Sequence, residues 1–236
     1  MESIKLKGKN DEYDLKDGIC AISIFLYIFI LTYLFFLFIY KSNLNRIMME
    51  SFNNEYLYKF IIKTIIAILQ VFPIFVIIYS RMQSLISIGI HKYDLLKSIY
   101  IGILFSIPLI LIKIPGVQIN NFTVSIYILN IIEQLILTAL FEELIFRGFI
   151  QSRIRGIIKN KLFSIILVGI MFGVVHIPSI IVSNKGNFIN LIIPICISIL
   201  WRMCMHIYFN YAYTKNNSLV SSTIPHAINN ILSIMF

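Results

Sequence analysis

Apolar residues along this chain fall in blocks too long for a soluble core, separated by short polar intervals. Gly18 to Tyr40 is a run of 23 residues without a charged side chain, long enough to cross about 30 Å of hydrocarbon as a helix. Further blocks cover about 60–79, 98–112 (or from Leu95), 122–150, 162–182, 188–209 and 217–235. The pattern predicts an all-α polytopic transmembrane helix bundle of about seven spans, with six to eight compatible with it. Pro73, Pro108, Pro178, Pro194 and Pro225 lie inside these blocks, where neighbouring helices can satisfy the backbone groups that a proline frees. The first block is longer than a signal-peptide core and lacks a small-residue cleavage site, so it reads as an uncleaved span.

Composition agrees with the bilayer as solvent. Of 236 residues, 58% are hydrophobic and 13% charged, about half the charge of a soluble domain. An ordinary soluble enzyme, a disordered chain and a disulfide-stapled secreted chain are all excluded. The net charge is +9, but the basic residues sit mainly between apolar blocks, where they set orientation and meet anionic headgroups. No motif for base readout occurs, so no nucleic-acid partner is expected. Lys and Arg number 13 in the N-terminus, 80–97, 147–161 and 210–216, against 5 in 41–59, 113–121, 183–187 and the C-terminus. This bias puts the N-terminus in the cytoplasm. Cys20, Cys196 and Cys204 lie in apolar stretches with no CxxC pair and read as small packing residues. Residues 1–17 form a polar segment, 18–115 the N-terminal spans and 116–236 a core richer in polar groups. A turn-rich stretch, Lys113–Asn121, marks the division.

Ionisable side chains inside a membrane are costly and usually face a bundle interior or a wet cavity. In the fourth block Asn130, Gln134, Thr138 and Glu142 recur every four residues and form one polar stripe. Glu143 follows at once, about 100° around the helix, and stands four before Arg147 in the favourable order for a helical ion pair. Glu142 is then the carboxylate left to face the interior. Glu133 lies on the opposite face and is assigned no more than a packing or cavity role. Phe172 and His176 share a face of the fifth block, and His226 and Asn230 share a face of the seventh. Each pair alone is compatible with interhelical hydrogen bonding; together a glutamate, two histidines and an asparagine on three spans make a constellation. Arg202 and His206, four apart on the sixth block, read as structural, with Arg202 snorkelling or pairing with a glutamate.

These residues carry a resemblance. Glu142-Glu143-x-x-x-Arg147-Gly148, Phe172-x-x-x-His176 and His226-x-x-x-Asn230, with flanks FEELIFRGFI, LVGIMFGVVHIP and NNSLVSSTIPHAINN, resemble the CAAX-protease and bacteriocin-processing (CPBP, Abi) intramembrane proteases. The likeness covers about 122–236 and leaves the first three spans unmatched. Asn216-Asn217 stand where Thr-Gly often precedes the last span. The resemblance implies glutamate-dependent endoproteolysis within the membrane. Its eukaryotic members trim prenylated CAAX proteins; its bacterial members are linked to peptide maturation, bacteriocin immunity and surface or quorum-sensing regulation. The Ile-, Asn- and Lys-rich composition looks like that of a low-GC bacterium, which argues for an unprenylated peptide or membrane-protein substrate in a bacterial cell membrane.

Peptide hydrolysis needs a base for water and donors for the developing oxyanion. Glu142 is expected as the base near the cytoplasmic side, His176 as the group orienting that water or sharing its proton, and His226 with Asn230 as oxyanion donors. Glu143 and Arg147 would fix the helix end, with Phe172 in support. A zinc version would use Glu142, His176 and His226, but no HExxH occurs and Asn230 suits an oxyanion better, so no metal is favoured. The predicted boundaries place His226 roughly 15 Å past the cytoplasmic loop and His176 roughly 22 Å into its span, a mismatch that the boundaries would have to absorb. The rival readings are a non-proteolytic scaffold or immunity factor that binds a membrane partner protein, and then a small-solute transporter. The latter lacks paired broken helices in two matching halves.

Overall fold

The computed structural model describes residues 13–52, 54–92, 94–116, 124–184 and 188–234. Most of the polar N-terminal segment, and Lys185, lie outside the described residues. Among those residues there is no strand, and the chain forms eight helices. They are α1 (Leu15–Lys41), α2 (Asn43–Ser51), α3 (Glu55–Ser80), α4 (Leu95–Lys113), α5 (Val124–Gly156), α6 (Lys161–Ser183), α7 (Ile192–Asn216) and α8 (Leu219–Ile234). Six of them, α1 and α3 to α7, are long and apolar enough to cross a membrane.

Helix starts follow local chemistry. Asp14 and Asp17 form a reciprocal capping box on α1, and Ser42, Asn54 and Asn160 cap α2, α3 and α6 through side-chain oxygens. Apolar outer faces meet lipid: Phe72, Leu111, Ile112 and Ile193 are 63–76% exposed. Cys196 and Cys204 are on exposed positions of α7, so they do not pack in the core, whereas Cys20 is half-buried. Ile24 of α1, Ile74 of α3, Phe149 of α5 and Val168 of α6 belong to one core cluster that runs through both parts of the chain.

Three departures from the expected boundaries position the site. The fourth span continues to Gly156, because Arg147 and Arg153, counted above among loop cations, are buried inside the helix at 1% and 0% exposure. The charge bias keeps its direction without them. The seventh span is a 16-residue helix of roughly 24 Å, shorter than each of the other six. Asn217, at φ 52°, ends α7 in the left-handed region, and Leu219 N–H donates to Gly89 O at 3.1 Å. This anchors α8 on a turn at 85–89; Ser221, Ser222, Thr223 and His226 on it are buried. Finally, α6 breaks at Val175–His176, between helical stretches Lys161–Val174 and Ile177–Ser183. Pro178 explains the break, since it lacks the N–H that would bond Val174 O and its ring crowds that carbonyl.

Close contacts hold α6 against α7. Gly169 and Gly173, four apart, are packed on Met203 and Ile199, and a Cβ at Gly173 would sit 2.8 Å from the Ile199 Cα. Small residues at this spacing let membrane helices approach closely, which brings Phe172 and His176 beside Arg202 and His206.

Candidate active site

The helix that carries both glutamates is not uniform. Over Glu133–Leu140 and Leu144–Ile150 α5 widens to π-type pairing, and Phe141–Glu143 is a short α-helical stretch between the two. Such π segments recur at functional sites because they re-aim side chains around an otherwise regular helix. Glu142 and Glu143 diverge as their spacing predicts. The Glu142 side chain is 23% exposed, whereas that of Glu143 is fully buried.

Glu143 is the hub of a buried charged cluster. Its Oε1 accepts from Arg147 Nη1 at 2.7 Å and lies 2.7 Å from His226 Nδ1. The guanidinium of Arg147 lies 5.0 Å from the Phe172 ring and 5.4 Å from the Phe209 ring, a cation–π arrangement that substitutes for hydrogen bonds. Its Nε and Nη2 have no hydrogen-bond partner among the described residues. Glu143 and Arg147 therefore tie α5 to α8 in mid-helix; the expected place at the helix end does not apply once α5 extends to Gly156.

His226 is pinned by this arrangement. Phe209 stacks on its imidazole at 4.8 Å and 17°, Phe172 meets it edge-on, and Nδ1 is held by Glu143. Its Nε2 points at Glu142 Oε2, 3.6 Å away. His176 sits at the break in α6, its ring perpendicular to Phe172 at 5.3 Å. Glu142, His176, His226 and Asn230 all line one cavity of about 380 Å³. The proposed catalytic set thus converges, and the depth mismatch disappears. Glu142 is near the middle of α5, and α8 starts on the 85–89 turn, so the three levels coincide.

Several neighbours were assigned differently from the sequence, or not at all. Gln134 and Thr138 of the polar stripe line the cavity, as does Arg202, whose Nη1 donates to Ser198 Oγ at 2.5 Å. Arg202 is thus a cavity residue, whereas His206 is fully buried, with Nε2 3.2 Å from Gln151 Oε1. Asn229 also lines the cavity and donates to Asn230 Oδ1 at 3.4 Å. Nothing in the sequence marks Phe209, an aromatic in an apolar helix, as the platform for His226. Glu133 keeps a cavity role and adds an ion pair to Lys63.

The zinc alternative does not fit this geometry. Among the described residues no three His, Cys, Asp or Glu side chains come close enough together to hold a metal ion.

Residues 124–232 match the family described as type II CAAX prenyl endopeptidase Rce1-like. This segment is similar to an Rce1-like domain. It runs from the start of α5 through nearly all of α8 and contains every residue of the cavity constellation, while α1 to α4 lie outside it. The uncharacterized protein YyaK of Bacillus subtilis (strain 168) is 30% identical over 99 residues, covering 40% of this chain and 29% of the relative. The chain thus spans less than a third of that relative's length. No solved structure matches the chain.

Proposed function

We propose that this protein is an intramembrane endopeptidase that hydrolyses a peptide bond with Glu142 as general base. The observation that carries the reading is the convergence of Glu142, His176, His226 and Asn230 on one cavity within an Rce1-like domain. Glu142 takes a proton from water oriented by His176, and the resulting hydroxide adds to the scissile carbonyl carbon. Negative charge develops on the carbonyl oxygen. Asn230 Nδ2 and a protonated His226 Nε2 donate to it, with Glu143 balancing the imidazolium through Nδ1. On collapse the C–N bond breaks, and the proton held by Glu142 passes to the departing amine. Charge is balanced across the cluster: two carboxylates face Arg147 and the imidazolium.

The substrate class is a peptide or membrane protein reaching the cavity from the bilayer. The family description names a prenyl endopeptidase, but the composition favours an unprenylated substrate in a bacterial cell membrane, and the Lys and Arg bias favours a cytoplasmic N-terminus. Bacteriocin processing or immunity is a role such cleavage could serve. The test compares membrane proteins and secreted peptides of a wild-type strain with those of a Glu142→Ala strain. The expected result is a set of peptide termini present only in wild type. Identical termini, with a phenotype kept by both Glu142→Ala and His226→Ala, would instead favour a binding scaffold.

A further inference from the structure

A second cavity, of about 310 Å³, also reaches Glu142. Part of its wall comes from α1 and α3, which lie outside the segment that matches the family. Ile28, Phe35 and Phe36 of α1 and Ile66 and Ala67 of α3 make that wall apolar. Gln134, Thr138, Glu142 and His176 border both cavities, so the two meet at the carboxylate. Two polar contacts interrupt the apolar lining. Gln70 Nε2 donates to Thr32 Oγ1 at 3.1 Å, joining α3 to α1. Lys63 Nζ donates to Glu133 Oε1, joining α3 to α5, and the same oxygen accepts from Gln134 Nε2 at 3.1 Å.

These contacts set a length. Glu133 stands nine residues before Glu142, at most roughly 13 Å along the axis, because the π-type turns between them rise less per residue than α turns. An extended peptide advances about 3.3 Å per residue, so this interval holds roughly four residues at most. We propose that the α1–α3 cavity is the subsite for an apolar stretch of roughly four substrate residues flanking the cleaved bond, bounded by the Lys63–Glu133 pair. The assignment rests on the endopeptidase reading and deepens it. A peptide whose carbonyl sits at Glu142 leaves in two directions, and the two cavities offer two different surroundings. One holds Arg202 and Asn230; the other is apolar, with Thr32 and Gln70 able to bond a peptide backbone that finds no water there. An apolar stretch longer than the interval would have to pass the ion pair, whose carboxylate is largely buried and whose ammonium is half exposed, and would meet charge where the apolar wall ends.

The test uses full-length protein in phosphatidylethanolamine/phosphatidylglycerol vesicles and quenched fluorogenic peptides with four Leu or four Ala on one or the other flank of a fixed bond. Wild type should prefer Leu over Ala by about tenfold or more on one flank only. Ala67→Trp, which fills the cavity, should lower that kcat/KM ratio about tenfold. Phe36→Ala, which widens it, should shift preference from Leu toward Phe, and this keeps the proposal testable should the Trp variant misfold. Cleavage by all three proteins with unchanged ratios would overturn the subsite and leave the endopeptidase standing. Wild type that cleaves none of the peptides would overturn both.

Discussion

Two buried polar clusters flank the same stretch of α5, and they differ in how fully they are satisfied. Around Arg153, every guanidinium nitrogen has a partner: Nε and Nη2 donate to Gln83 Oε1, Nη2 also to Ser87 Oγ, and Nη1 to the Gly148 and Phe149 carbonyls and to Ser152 Oγ. Gln83 donates in turn to Asp17, which also accepts from Arg81 Nε at 2.7 Å. This network closes on itself and binds the start of α1, the segment after α3 and the end of α5. Around Glu142 the polar groups instead line a cavity, and His226 Nε2 stops 3.6 Å short of the carboxylate. A cluster with every group bonded holds a fold together; one with groups turned toward space is ready for a substrate.

The contrast can be broken by substitution. Arg153→Ala strips Gln83 and Ser87 of their donor in a buried site and should cost about 3–5 kcal/mol of stability, read as loss of a folded, detergent-stable protein. Glu143→Gln should come next. It leaves Arg147 buried without its paired carboxylate, costing about 3 kcal/mol, and it weakens the hold on His226, so cleavage should fall as well. A Glu143→Gln protein as stable and as active as wild type would refute the hub role. His206→Phe removes only the bond to Gln151 and should cost about 1 kcal/mol, with cleavage within about threefold of wild type. The smallest expected effect is that of exhaustive chelation, which should leave cleavage unchanged; recovery of lost activity by added Zn²⁺ would point to a metal site that the side chains do not form here.

The sequence made the cavity constellation legible because each member sits in an apolar block where a polar residue is conspicuous. The split between Glu142 and Glu143 followed from helical geometry alone. Arg153 was misplaced for the converse reason: it follows an apolar block and so looks like a loop cation, and only its partners on another segment reveal a buried role. The Lys63–Glu133 pair was illegible because the two residues lie 70 positions apart, and no periodicity links separate spans. Nor does any local signal announce the π stretches that bracket Glu142 or the recessed start of α8, both of which depend on packing against neighbouring helices.

The central claim is that Glu142 does chemistry while its neighbour Glu143 holds the site. The most direct measurement is the rate of peptide-bond cleavage by purified Glu142→Gln in vesicles, with thermal unfolding recorded on the same sample. The expected result is a loss of about 10²–10⁴-fold or more in rate with stability within about 1 kcal/mol of wild type. A variant that folds as wild type and cleaves at a comparable rate would contradict the account.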